Sequence, residues 1–258
     1  MSNRLGLRSF DSSDFRISVV LPVFSETDTI REVVKGLQDI LGARLLEIVI
    51  VVSPRSGEDS RDVCAELGKS DARIRMQMQQ VNPGLGHGVR EGYAATRGNW
   101  VLNIDSDGEM EMETVRRMLE KADTGSYDLV VASRWMKGGG FSGYSRLKYG
   151  LNFIFQQVFR SLFLTRVNDL TYGFKLMRGE LARGIRWEGA RHEIACETTM
   201  KPIKLGARAC AVPSKWTART SGESKNTFWR TFRYVDMAFR ILCRGAEYTP
   251  PAGTGPAA

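Results

Sequence analysis

Short continuous apolar runs alternate with amphipathic stretches along the first half of the chain. Ile17 to Val23 (ISVVLPV) is β-branched and uninterrupted, the pattern of a strand buried on both faces. After a loop, Thr27 or Asp28 can cap an amphipathic stretch that runs to about Leu41, which predicts a helix. Glu47 to Val52 (EIVIVV) repeats the strand pattern, and a Ser/Pro/Gly loop leads to a helical pattern from about Glu58 to Gly68. The same alternation gives a weaker strand at Arg73 to Gln79, a helix at Gly86 to Thr96, a strand at Trp100 to Ile104, a helix at Glu111 to Ala122 and a strand at Asp128 to Ala132. Strands alternating with helices predict an α/β fold with a doubly wound, mainly parallel sheet flanked by helices. Parallel strands need crossover helices, and those helices cover both sheet faces.

Past Ser133 the pattern changes. A glycine cluster (Gly138, Gly139, Gly140) precedes Leu147 to Leu164, an aromatic-rich helical stretch with Lys148 and Arg160 as its only charges. A turn-rich segment (Asn168 to Gly173), a strand-like FKLM run, a helix near Glu193 to Leu205 and a strand at Ala207 to Val212 follow. Thr227 to Arg244 is the last amphipathic helix: Phe228, Phe232, Val235, Phe239 and Leu242 recur at helical spacing with arginines between them. The expected organisation is an N-terminal extension (1–15), a main domain (16–226), an amphipathic, membrane-interface helix (227–247) and a disordered tail (248–258). No repeat of solenoid length is present.

Composition narrows the partners. The 258 residues carry a net charge of +8, but residues 1–133 hold 16 basic and 21 acidic side chains, whereas residues 134–258 hold 21 and 8. So basic a second half points to an anionic partner such as a phosphorylated metabolite or a lipid surface. A helix-turn-helix, an RNA-binding sheet motif or a zinc module would point to nucleic acid, and none of these is recognisable. Four dispersed Cys and two His argue against a thiol or imidazole metal cage, and suggest reduced thiols in a cytosolic compartment. There is no uninterrupted apolar stretch of about 18 residues and no apolar segment near the N-terminus, so neither a membrane span nor a secretory signal is expected.

The chemistry-bearing motif is Asp105-Ser106-Asp107, directly after the WVLNI run. It falls at the carboxyl end of a buried strand, where open α/β sheets place their ligands. Carboxylates at i and i+2 of an extended segment leave on one side and form a hard oxygen site suited to Mg²⁺ or Mn²⁺, completed by a diphosphate and water.

Five segments in order now carry a resemblance: LPVFSE, GLGHGVREGYAATRGNWVLNIDSD, SRWMKGGG, DLTYGFK and RTSGESK. Over about residues 17–225 the chain resembles glycosyltransferase family 2, and within it the polyprenyl-phosphate group typified by dolichol-phosphate mannosyltransferase. The resemblance implies a GT-A fold and inverting, metal-dependent transfer of a sugar from a nucleotide diphosphate donor, GDP-mannose or a UDP-sugar, to a polyprenyl or dolichyl phosphate. It implies that Asp105 and Asp107 bind the metal, with Glu109 where the family often has Gln. Pro22, Glu26, Ser53, Gly86, His87 and Asp105 would line the donor pocket. Arg134, Arg146, Arg219, Ser224 and Lys225 would hold phosphate, and Asp107, Arg134 and Lys225 form the expected catalytic set. Asp169 and Thr171 either shape the acceptor side or form a capped turn.

One departure stands out: where relatives carry an acidic D-D-x-S, this chain has Ser53-Pro54-Arg55-Ser56. Either the serine hydroxyls replace the carboxylates or a different nucleotide is used. Such a reaction needs no side-chain base, because a phosphate monoester is already an anion at neutral pH. The expected protein is a peripheral enzyme at the cytoplasmic face of a membrane. The alternatives are a soluble or polysaccharide acceptor, or a non-catalytic anion- or membrane-binding relative.

Overall fold

A computed structural model describes residues 5–7, 15–81, 84–143, 146–218 and 228–251. The apolar runs become strands β1 (Ile17–Val23), β2 (Leu45–Val52), β3 (Ile74–Met78), β4 (Trp100–Asn103) and β5 (Leu129–Ser133), each followed by a helix or a loop. The helices are α1 (Asp28–Leu41), α2 (Glu58–Ser70), α3 (Leu85–Ala95), α4 (Glu113–Asp123), α5 (Arg146–Leu162), the short α6 (Gly179–Gly184), α7 (Ile194–Lys204) and α8 (Phe228–Arg244). With β7 (Lys175–Arg178) and β8 (Ala209–Pro213), the strands form one seven-stranded sheet in the order β3-β2-β1-β4-β7-β5-β8. Every pairing in it is parallel except those of β7, which runs antiparallel to both β4 and β5. The doubly wound reading therefore holds, with one reversed strand that the pattern did not announce.

Alternation along β1 shows how the sheet is covered. Ile17, Val19, Leu21 and Val23 enter one core with α1, α2 and α4, while Val20 enters a second core with α3, α5, α6, α7 and α8. Pro22 lies inside β1 opposite Val51. Pairing between β1 and β4 stops at Val20, so the missing proline N–H interrupts no ladder on that side. Thr27 does occupy the N-cap of α1, but its side chain makes no capping bond. Glu26 instead accepts the Phe24 and Ser25 amides at 2.8 and 3.0 Å.

Described residues at both ends of the chain pack onto the two cores. Phe15 stacks edge-on against Trp100 at 5.3 Å, and Leu7 is buried in the second core, so parts of the 1–15 segment belong to the folded unit. Helix α8 buries Met237, Ala238 and Ile241, and Phe239 lies 5.4 Å from Phe159 of α5. Tyr248 bridges Ile185, so the described part of the tail is pinned to the core. Among the described residues no helix is long and apolar enough to cross a membrane, and all four cysteines are free thiols.

A three-residue pair lies outside the main sheet. Strand β6 (Gly140–Ser142) runs parallel to β9 (Lys215–Thr217), next to the loop that follows β4.

Candidate active site

Strand order reverses between β1 and β4. The chain builds outward from β1 through β2 to β3, then returns to place β4 on the opposite side of β1. At such a point the crossovers leave in opposite directions, and a crevice opens beyond the strand carboxyl ends. Ser106 Oγ donates to Pro22 O at 2.8 Å and Ile104 N donates to Val20 O at 3.3 Å, tying the loop after β4 to the end of β1.

Asp105 and Asp107 stand in that loop, both half-buried. Gly108 takes φ 73°, a turn conformation that favours glycine. The Glu109 amide donates to Asp107 Oδ1 at 3.1 Å, which closes the turn on the carboxylate. Next to Asp105 the chain has Gly173, whose Cβ position would lie in ordinary contact, 3.9 Å, with both Asp105 oxygens. Asn103 donates to Gly173 O at 2.9 Å, and its own buried Oδ1 accepts no hydrogen bond. Hard oxygens dominate this end of β4. Among the described residues no group of three or more His, Cys, Asp or Glu side chains could hold an ion unaided. Two carboxylate side chains are a hard-oxygen donor set, the kind that takes Mg²⁺ or Mn²⁺ when diphosphate oxygens and water complete the shell. Glu109 has a second engagement: its Oε2 accepts the Trp216 indole N–H at 2.9 Å.

Arg134 follows β5 and faces a different set of groups. Its Nε and Nη2 donate to the two oxygens of Asp169 at 2.8 and 3.0 Å, and its amide donates to Asp169 at 3.1 Å. The guanidinium lies 4.3 Å over the Tyr172 ring and 4.9 Å over Phe141. Gln156 of α5 joins the same cluster, donating to Thr171 Oγ1 at 3.0 Å and accepting from Leu170 N at 2.7 Å. Asp169 and Thr171 thus hold Arg134 and α5 in place, so the capped turn is also a support. A cavity of about 520 Å³ opens beside this cluster, lined by Arg134, Arg146, Trp135, Phe141, Tyr149 and the Gly139–Gly140 backbone. The rings pack on one another, Trp135 to Tyr149 at 4.7 Å and to Phe141 at 4.9 Å. The sequence pairs Arg134 with Arg146 but does not announce the aromatic walls, for which Trp135 beside Arg134 and Tyr149 in the aromatic-rich stretch are the local signals.

Past this cavity, α5 shows two characters. Phe155, Phe159 and Phe163 are buried, whereas Leu147 (73% exposed), Leu151, Ile154 (59%), Val158 and Leu162 are open to solvent. Phe232 and Phe239 of α8 are exposed as well.

The remaining expected donor residues divide. Ser53 N donates to Val23 O at 3.0 Å, bringing the end of β2 against the end of β1, and its hydroxyl accepts the Arg55 amide at 3.2 Å. Ser56 Oγ is buried and makes no hydrogen bond. His87 is half-exposed on the first turn of α3. Gly86 packs against protein backbone. Its amide donates to Ala190 O at 3.0 Å, and a Cβ there would lie 2.3 Å from Gly189 O. Gly84 and Gly86 let the start of α3 abut the 189–190 backbone, while Gly88 faces Gln79. Arg219, Ser224 and Lys225 lie outside the described residues.

Beneath both clusters Lys175 is fully buried, and its Nζ donates to Ala195 O, Thr198 Oγ1 and Thr199 Oγ1 at 2.8, 2.8 and 2.6 Å. Burial pulls its amine down to about 7, against the opposing pull of Cys196, Asp169 and Asp105.

With this geometry in hand, the chain can be set beside known proteins. Glycosyltransferase AglD of Haloferax volcanii is 25% identical over 90% of the chain, and dolichol-phosphate mannosyltransferase of Pyrococcus furiosus is 24% identical over 88%. These matches span 36% and 64% of the two relatives' own lengths. Polyprenol monophosphomannose synthase of Mycolicibacterium smegmatis is 24% identical over 81% of the chain and 80% of that protein. Among solved structures, glucosyl-3-phosphoglycerate synthase of Mycobacterium tuberculosis with uridine diphosphate superposes with a TM-score of 0.69 at 18% identity, covering 93% of this chain and 88% of that one. That likeness is one of fold, the GT-A fold, and crystals of the same protein have held Mn²⁺ with uridine diphosphate. The profile of glycosyl transferase family 2 matches residues 18–185, a span that contains β1 to β7 and both carboxylates of the crevice. By that match the chain belongs to glycosyl transferase family 2.

Proposed function

We propose that the protein transfers a sugar, with inversion, from a nucleotide diphosphate donor to a polyprenyl phosphate. One observation carries the acceptor assignment: the cavity that joins Arg134 and Arg146 opens where α5 begins, and α5 continues as an exposed apolar face. An amphiphile with an anionic head and a long hydrocarbon tail matches that sequence of surfaces. A sugar or a phosphorylated metabolite leaves the apolar face without a role.

The two reactants divide between the two clusters. Asp105 and Asp107, with Glu109 beside them, would hold Mg²⁺ or Mn²⁺ together with the donor diphosphate. When bound, the ion offsets charge developing on the leaving group. Pro22, Glu26 and Ser53 line the crevice on the β1 and β2 side, with His87 nearby. Arg134, fixed by Asp169 before any substrate arrives, and Arg146 hold the acceptor phosphate, and such preorganised cations need no rearrangement during the reaction. By their likeness to the family pattern, Arg219, Ser224 and Lys225 serve the same phosphates. The acceptor oxygen is already anionic and attacks directly, so none of the chain's side chains has to remove a proton from it. Exposed apolar side chains of α5 and α8 rest in the cytoplasmic interface of a membrane, with arginines reaching the head groups.

The test supplies Mn²⁺, a short polyprenyl phosphate and a panel of labelled GDP- and UDP-sugars. Because the Ser53 to Ser56 segment has no carboxylate, both nucleotides belong in the panel. Label in the organic phase with one donor is expected. Label that stays aqueous with every donor would overturn the acceptor assignment.

A further inference from the structure

The loop that carries the paired carboxylates is joined along its length to β9. Besides the Trp216 indole bond to Glu109, Thr217 N donates to Glu109 O at 3.1 Å and Glu111 N donates to Lys215 O at 3.3 Å. Met110 and Trp216 form an antiparallel bridge. On its other edge β9 pairs with β6, whose Phe141 lies under the Arg134 guanidinium. Gly140 N donates to Ser214 O at 3.2 Å and Ala218 N to Ser142 O at 3.1 Å. One three-residue strand therefore touches both the carboxylate loop and the arginine cavity.

We propose that Trp216 is a positioning residue for the cation site, fixing the Glu109 carboxylate and, through the Asp107–Glu109 turn, the presentation of Asp107. This rests on the cation assignment proposed above. An indole N–H can only donate, and its ring turns about two torsions. Here the ring is half-buried against the first core, so the donor's direction is set by packing. A Glu carboxylate with several rotatable bonds has no such constraint of its own. The backbone bonds to Lys215 and Thr217 hold the strand of the loop, and the indole bond holds the Glu109 side chain. Loss of an outer donor to a ligating group commonly weakens metal binding by about 10–100-fold.

Trp216→Phe keeps the ring and deletes the donor. The measurement is Mn²⁺ affinity by electron paramagnetic resonance, with saturating GDP and in parallel UDP. We expect the variant to bind Mn²⁺ about tenfold more weakly, or worse, at an unchanged melting temperature. Glu109→Gln keeps an oxygen that can accept the indole proton, and it should leave the Trp216 indole ¹H–¹⁵N resonance near its wild-type position, whereas Glu109→Ala should move it. A readout independent of the variants is the same wild-type resonance, assigned by triple-resonance spectroscopy, which should shift when Mg²⁺ and the nucleotide are added together. Equal Mn²⁺ affinity in wild type and Trp216→Phe, or an indole resonance indifferent to Mg²⁺ and nucleotide, would overturn this role alone. A wild-type protein that binds no Mn²⁺ with either nucleotide would overturn the cation assignment, and this inference with it.

Discussion

Replacing Asp169 by Asn tests whether Arg134 is held in advance. The pair is deeply placed: the Arg134 side chain is 9% exposed and that of Asp169 is fully buried. Asp169 receives three hydrogen bonds from Arg134, through its amide, Nε and Nη2. Asn keeps one acceptor oxygen but turns an amide N–H₂ toward a guanidinium that also only donates. The guanidinium then loses the Asp169 charge, and removing one member of a buried pair costs about 3–5 kcal/mol. The retained oxygen argues for the lower end, about 3 kcal/mol, which for a chain of this size lowers the melting temperature by about 6–12 °C. Circular dichroism melts and urea titrations of wild type, Asp169→Asn, Arg134→Met and the double variant complete a cycle. The double variant should be less destabilised than the sum of the singles, because neither charge is then orphaned. A single-variant cost under about 1 kcal/mol, the range of exposed ion pairs, or strict additivity in the cycle, would refute the reasoning.

Other consequences follow from named contacts. Lys175 has a folded-state amine near 7, below its ordinary value, so between there and the unfolded value the unfolded chain binds more protons and stability rises with pH. Urea titrations at pH 7, 7.8 and 8.5 should show a wild-type slope approaching 1.4 kcal/mol per pH unit at most, absent in Lys175→Met; parallel lines for the two proteins would contradict this. Gly86→Ala places a Cβ 2.3 Å from Gly189 O, and overpacking of this kind costs about 1–3 kcal/mol. A melting temperature equal to wild type would show that the 189–190 backbone yields. Ile154 and Val158 stand exposed on α5, so Ile154→Glu with Val158→Glu should abolish flotation with anionic liposomes while leaving the melt unchanged. Flotation that persists would remove α5 from the membrane contact.

Much of the fold is legible because a doubly wound sheet writes itself locally. Continuous β-branched runs such as ISVVLPV can be satisfied only between two helical layers, and the intervening amphipathic stretches supply those layers. Reversal of β7 is invisible in FKLM, since four apolar-leaning residues carry no direction, and their neighbours β4 and β5 are chosen by long-range pairing. Strands β6 and β9 are three residues each, too short for any periodicity. Within the site, the paired aspartates are readable from position, at the end of a buried run. Arg134 and Arg146 become readable with the family likeness. The packing of Gly86 could not be read from its glycine-rich turn, because the backbone it meets lies about a hundred residues away at Gly189 and Ala190. Trp216 carried no signal at all, for its meaning comes from Glu109 across a bridge between distant segments.

The most direct measurement is the anomalous scattering of Mn²⁺ in crystals grown with a nucleoside diphosphate. One peak is expected within coordination distance, about 2.0–2.6 Å, of the Asp107 carboxylate and of the diphosphate oxygens, on the crevice side of β4. Nucleotide bound elsewhere, or an ion whose shell includes neither Asp105 nor Asp107, would contradict it.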